Sequence, residues 1–154
     1  MIKINLITND NDWNKYIRNP KVFLKNKIDN LNKNFRKHRD KNFFFTLLLS
    51  GNNEIKKLNK KFRKKNKSTD VLSFPFYSKN QLKNILKKDK EIYLGDVIIN
   101  IKKVRNKKKK EIFINEFNKL WVHGLLHLFG YDHKTNQEFK NMIKIEKKFL
   151  SFLD

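Results

Sequence analysis

Residues 123–133 read HGLLHLFGYDH and hold three of the chain's 4 histidines. His123 and His127 stand four apart in a stretch patterned as a helix, which puts both imidazoles on one face, ~5–6 Å apart at Cβ. Two such rings can converge on one metal ion at ~2.0–2.1 Å each. Gly130 is a natural helix stop, and the chain can fold back there to deliver His133 three residues later. The spacings are those of the metzincin pattern H-E-x-x-H-x-x-G-x-x-H, with Gly124 in place of its glutamate. Three neutral imidazoles leave a fourth position for water, which marks a catalytic rather than a structural site. One zinc ion per chain is the expectation, although three histidines would also accept nickel, cobalt or copper. The remaining histidine, His38, lies among Arg36, Lys37 and Arg39 and reads as an exposed residue of a basic face.

The missing glutamate bears on the reaction. In H-E-x-x-H enzymes that residue takes the proton from the zinc-bound water, and glycine cannot. A conventional zinc peptidase is therefore disfavoured. Phosphodiester cleavage in RNA avoids the difficulty, because the substrate carries its own nucleophile, the 2′-hydroxyl. A metal would then polarise a phosphoryl oxygen or present hydroxide as the base. A cationic side chain is still wanted to balance charge on the phosphorane. The net charge of +22 points the same way, since so positive a field attracts polyanions, RNA foremost in a cytoplasm. Compositional drift accounts for part of that charge, because Lys, Asn, Ile and Phe dominate as an AT-rich genome would dictate. The expected partner is RNA, not DNA, an acidic protein or a membrane surface.

Several elements must position these residues within the 154-residue chain, which suits one domain. Ile2 to Ile7 largely alternates apolar and polar, as a strand does. Residues 20–38 show helical spacing with Pro20 near the start. The run NFFFTLLLS, 42–50, predicts a strand buried on both faces. Ile55, Leu58 and Phe62 mark a short helix, and DVLSF, 70–74, is a strand stopped by Pro75. Residues 76–91 are polar and basic and read as a loop with at most one helical turn. IYLGDVIIN, 92–100, is a fourth strand, and its internal Gly95 predicts a bulge or a close backbone approach. A helix spans about 112–129, and the last begins at Thr135, which forms a T-x-x-E capping box with Glu138. There is no cysteine, so disulfides and thiolate ligands are excluded. MIKINLITNDND has no apolar signal core, and the longest apolar stretch, Phe43 to Leu49, is too short to span a bilayer. The expectation is a soluble cytoplasmic protein with no membrane association.

HGLLHLFGYDH resembles the signature of the YbeY family, single-domain bacterial endoribonucleases of ribosomal RNA maturation. LNKKFRKKNKSTDVLSFPF, 58–76, and LGDVIIN, 94–100, resemble two further blocks of that family, and Glu116, Met142 and Glu146 fit its pattern. The matching blocks span residues 58–146, and the first 50 residues agree only in the order of elements. The resemblance implies a zincin-like α+β single domain over 1–154, with a four-stranded mixed sheet, about five helices and the metal site at the end of a central helix. It implies zinc held by His123, His127 and His133, and makes Arg63 the expected catalytic or RNA-positioning arginine. It implies a monomeric, single-strand-specific endoribonuclease acting in 16S rRNA 3′-end maturation and ribosome quality control, with the small subunit as partner.

Arg63 suits that role because its fork matches phosphate, although within KKFRKKNK it also fits as one more solvated cation. Asp132 can hydrogen-bond a ligand imidazole, serve as base, or simply form an Asx turn. Asp70 and Asp96 sit in strands and suit structural hydrogen bonds, and Glu116 can pair with Lys119. The segments 78–90 and IKKVRNKKKK are more basic than the family pattern. Two other readings remain open: a peptidase or amidase whose base comes from elsewhere, and a ribosome-assembly RNA-binding protein with a structural zinc.

Overall fold

The structure is a computed structural model that describes residues 1–35, 38–105 and 107–153. Its elements run β1 (Ile2–Thr8), α1 (Trp13–Tyr16), α2 (Pro20–Asn34), β2 (Asn42–Ser50), α3 (Asn52–Arg63), β3 (Val71–Pro75), α4 (Lys79–Lys88), β4 (Glu91–Asn100), α5 (Lys110–Leu128) and α6 (Asn136–Leu150). A 3₁₀ turn, Ile101–Lys103, follows β4. The sheet order is β1-β2-β4-β3. The first three strands in that order are parallel, and β3 runs antiparallel on the edge. This is the mixed four-stranded α+β architecture expected from the sequence. No helix among the described residues is long and apolar enough to cross a membrane.

Strand β2 shows how the core is divided. Phe43, Phe45, Leu47 and Leu49 are fully buried and face the main core, which also takes Trp121, Leu125 and Leu128 from α5. Phe44, Thr46 and Leu48, on the opposite face, are only half-buried. The expectation of burial on both faces is therefore corrected. The outer face carries a separate small cluster of Ile55, Leu72 and Ile98 under α3, with Leu48, Leu58 and Phe74 around it. One helix does not cover four strands.

Residues 76–91 also differ from expectation. Their middle is the ten-residue helix α4, started by a capping box in which Ser78 accepts from the Gln81 backbone N–H and the Gln81 side chain accepts from the Ser78 N–H. Leu82 is buried, and Ile85 and Leu86 pack beside it at the i, i+3, i+4 spacing of a core-facing stripe. The intervening lysines obscure that stripe. Helix α2 begins at Pro20, with the Asn19 side chain accepting from Val22 N–H at 3.1 Å, and ends at Asn34. The expected extension to 38 crosses residues 36 and 37, which lie outside the described ones. His38 itself is in a turn at φ 56°. It is half-buried rather than exposed, with its ring edge-on to Phe43 at 6.0 Å.

At Gly95 both expectations hold. The β2–β4 register slips between Phe44/Tyr93 and Phe45/Gly95, leaving Leu94 as the extra residue of a bulge. Gly95 has φ +128°, and a Cβ there would run into the Phe74 carbonyl oxygen of the neighbouring edge strand. Gly95→Ala is expected to lose about 3 kcal/mol or more of unfolding free energy, from the glycine-only backbone region plus the collision. Urea melts followed by circular dichroism measure it, and an unchanged midpoint would contradict this account.

Candidate metal centre

Helix α5 carries the first two histidines and ends in a turn that brings in the third. The Gly130 N–H donates to the His127 carbonyl at 2.9 Å and the Tyr131 N–H to the Leu126 carbonyl at 3.1 Å, with Gly130 at φ +83°. These are the two bonds of a Schellman motif, and the left-handed residue it requires is supplied by glycine. The turn is tied further to the helix because His127 Nδ1 lies 3.0 Å from the Tyr131 carbonyl oxygen. At the next position the Asp132 carboxylate accepts from the His133 N–H at 2.8 Å. Thr135 then caps α6 through the expected box with Glu138.

The result brings one nitrogen from each of His123, His127 and His133 within 4.8 Å of one another. His123 and His127 are half-buried and His133 is exposed, so the group is anchored on one side and reachable from the other. The donor chemistry fits a cation. His123 Nδ1 lies 3.0 Å from a Glu146 carboxylate oxygen of α6, and donates its proton there. His127 Nδ1 donates to Tyr131. In the neutral rings both Nε2 atoms then present lone pairs toward each other, 3.1 Å apart. Two metal–nitrogen bonds of ~2.0–2.1 Å at a tetrahedral angle span ~3.3 Å, which this pair nearly matches. Burial, followed by the neighbouring His123 and His133, holds the His127 pKa below the ordinary imidazole value, so the ring stays in the neutral form that binds metal.

Glu146 is the residue that sequence reasoning undervalued. The resemblance gives it no role beyond fitting the family pattern. Its signal is an acid inside the apolar stripe of α6, four after Met142 and three before Phe149, both buried. A carboxylate there needs a partner, and the His123 ring is that partner. Asp132 does not bond a ligand ring among the described contacts. Its second oxygen pairs with Lys134 at 2.9 Å. Lys134 and then the His133 N–H hold its carboxyl below the usual carboxylate range, which makes it a poor proton acceptor.

Position 124 cannot hold the glutamate of the H-E-x-x-H pattern. A Cβ on Gly124 would lie 2.5 Å from a Val97 methyl and 3.2 Å from Ser73 Oγ, so α5 rests directly on β4 and β3 there. Arg63, the last residue of α3, reaches the same edge strand, its Nη2 donating to the Ser73 carbonyl at 3.0 Å. Buried Asn59 steadies the approach, donating to the Lys67 carbonyl at 2.7 Å and so closing the KKNK loop onto α3. Ser73 thus touches Arg63 through its carbonyl and faces Gly124, the neighbour of His123, through its side chain. Asp70, Asp96 and Glu116 make local bonds as expected: Asp70 accepts from Val71 N–H, Asp96 from the Tyr93 hydroxyl, and Glu116 pairs with Lys119.

A family model described as "Endoribonuclease YbeY" matches residues 7–154. The chain belongs to the YbeY family. A relative from Pelagibacter ubique, named endoribonuclease YbeY, is 42% identical over 157 residues, covering 99% of this chain and 97% of its own. Relatives of the same name from Thermodesulfovibrio yellowstonii and a Geobacillus species are 43% and 48% identical over shorter stretches. Those stretches span 41% and 38% of the relatives' lengths. The solution structure of TM1509 from Thermotoga maritima covers 99% of this chain and 89% of its own at a TM-score of 0.61 and 24% identity, which supports the fold.

Two substitutions test the site. Glu146→Gln is expected to weaken metal binding about 10- to 100-fold, measured by competition with a chromogenic chelator, because the ring loses its anionic partner. An unchanged affinity would remove Glu146 from the site. Gly124→Glu is expected to cost about 3 kcal/mol or more in a chemical melt, since the side chain must displace Val97 or lift the helix. A variant as stable as the parent would show that α5 has room to move.

Proposed function

We propose that this chain is a zinc-dependent, single-strand-specific endoribonuclease acting in the cytoplasm as a monomer, on the 3′ end of precursor 16S rRNA in the small ribosomal subunit. The observation that carries the proposal is the facing pair of Nε2 atoms on His123 and His127, with His133 beside them and Arg63, at the end of α3, bonded to the adjoining edge strand. The name shared by the relatives supports the substrate class.

The metal, when bound, supplies a positive charge that polarises a phosphoryl oxygen. The rest falls to the chain. Glu146 and the Tyr131 carbonyl fix the tautomer and direction of two rings. Arg63 presents a guanidinium whose fork fits phosphate oxygens and balances charge as the phosphorane forms. Its bond to the Ser73 carbonyl occupies one arm and sets the direction of the rest. The 2′-hydroxyl of the substrate takes the place of the water that a glutamate at 124 would have activated: its oxygen bonds to the adjacent phosphorus as the P–O5′ bond breaks, its proton passes to solvent, and solvent water protonates the departing 5′-oxygen. Asp132, already committed to His133 and Lys134, orders the turn rather than accepting that proton. The +22 surface holds the RNA backbone through counterion release, so binding is expected to fall steeply with salt.

The test is cleavage of a precursor 16S rRNA 3′-end fragment by the zinc-loaded protein, beside His127→Ala purified identically. The parent is expected to cut, and a chelator or the His127 substitution to abolish cutting. Arg63→Lys keeps the charge but loses the fork, and is expected to lower the rate about 10²- to 10³-fold. Equal cutting by parent and His127→Ala would refute the proposal. Casein cleavage without RNA cleavage would move the protein to a peptidase class, and RNA binding without cutting would make it an assembly protein.

A further inference from the structure

The outer face of the sheet is open beyond α3, and aromatic rings stand on it in solvent. Phe62, next to last in α3, is 57% exposed, Phe76 64% and Tyr93 37%. Phe62 meets Phe74 edge-on at 5.2 Å, and Phe76 meets Tyr93 edge-on at 5.7 Å. Phe44 pairs with Tyr93 across β2 and β4 and extends the patch. Tyr93 is held in place, its hydroxyl 2.6 Å from Asp96 and 3.0 Å from the Thr46 hydroxyl. These rings give the core little, and a grouped exposed patch of this kind marks a binding surface.

Cations are set among the rings. Lys3 Nζ lies 5.0 Å from the Phe44 ring centre and Lys61 Nζ 5.2 Å from that of Phe62. Lys60, Lys64 and Lys65 continue the charge at the end of α3. Asp96, an acid on this face, is engaged by the Tyr93 hydroxyl, Glu91 stands at the start of β4, and Glu54 lies at the far end of α3. A partner of matching chemistry must present flat π-faces and a line of negative charge together. Unpaired nucleotides do both, while the bases of a duplex are stacked on one another. The exposed faces of a four-stranded sheet serve this purpose in other RNA-binding folds.

Resting on the nuclease reading above, we infer that the open half of the outer sheet face is a stacking platform for unpaired bases of single-stranded RNA, with Phe62, Phe76 and Tyr93 taking bases and Lys3 and Lys61 the phosphates. The position is useful to the site. Phe62 and Arg63 are consecutive, one packed on the platform and the other bonded to the edge strand that abuts α5 at Gly124. A strand lying on the platform is thus led round β3 toward the histidines.

The experiment uses the metal-loaded full chain and a fluorescent 2′-O-methyl oligouridylate of about 12 nucleotides, which lacks the internal nucleophile and stays intact during titration. Phe62→Ala and Phe76→Ala are each expected to weaken binding roughly 5- to 100-fold, with the slope of affinity against salt unchanged. Phe76→Trp retains binding, whereas Phe76→Leu, which keeps apolar bulk but loses the π-face, does not. Binding of an RNA duplex is the same for all, and zinc affinity stays at the parent value, showing that the metal site is intact. Ring variants that bind like the parent would overturn the platform, as would a Leu variant at full affinity or a parent that does not hold the oligonucleotide. Cleavage of ordinary RNA is scored separately. A parent that binds through the rings without cutting removes the nuclease and leaves the platform. A parent that cuts while its ring variants bind unchanged removes only the platform.

Discussion

The contact between α5 and the sheet at Gly124 is the constraint on which the metal centre depends. With no Cβ there, the helix backbone lies against Val97 and Ser73, and the direction of every other α5 side chain follows. Residues 123 and 127 fall on one flank of the helix, while 121, 125 and 128 point into the core as Trp, Leu and Leu. A larger residue at 124 would lift the helix and carry both rings with it, away from Glu146 on α6 and from the edge strand that Arg63 grips. The same close approach removes the place from which a metalloprotease glutamate would act. The packing that builds the site therefore also restricts its chemistry, since no carboxylate can act from position 124.

A chain with a net charge of +22 must make a local exception to hold a divalent cation. It does so over short distances, where screening is weakest. His127 is kept neutral by burial and by its two histidine neighbours, so it adds no charge of its own. Glu146 sets a carboxylate against the back of the His123 ring. Lys134 stands at the rim, already paired with Asp132. The bulk of the lysines lie on exposed surfaces, where salt limits their reach to about 8 Å at physiological ionic strength. A cation at the centre feels Glu146 more than the average surface. A long polyanion feels the surface as a whole, which favours its capture.

Much of this is legible in the sequence. The three histidines with the intervening glycine, the glycine bulge in β4 and the Thr135 box all have short-range causes, and short-range causes leave marks in sequence. Arg63 could be named only by resemblance, because nothing in KKFRKKNK separates one cation from the next. Its particular feature, a bond to the Ser73 carbonyl ten residues on, belongs to the tertiary fold. Glu146 was legible in principle as an acid in an apolar stripe, but its partner lies 23 residues away on another helix. Helix α4 was hidden because lysines fill the positions between Leu82, Ile85 and Leu86, and composition outweighed spacing. His38 was misplaced for the opposite reason. Its neighbours in sequence are cations, while in space its ring stands edge-on to Phe43.

The two faces of the sheet divide the work. Along β2 the even alternation sends Phe43, Phe45, Leu47 and Leu49 to the face that α5 and α6 close, and Phe44, Thr46 and Leu48 to the other. The outer face is covered by the 12-residue α3, about 18 Å long, lying over the Leu72–Ile98 end. Four strands spaced about 4.8 Å apart, with β2 about 30 Å long, exceed what such a helix can cover. The uncovered part would be expected to carry polar residues if solvent were its only neighbour. Among Lys3, Thr46 and Asp96 it also carries Phe44, Phe76 and Tyr93, with lysine nitrogens near two rings of the same surface. Since α3 ends with Phe62 on that surface and Arg63 on the edge strand, a single helix terminus joins the open face to the strand beneath the metal centre. Moving that terminus would disturb both the Phe62–Phe74 contact and the Arg63–Ser73 bond at once.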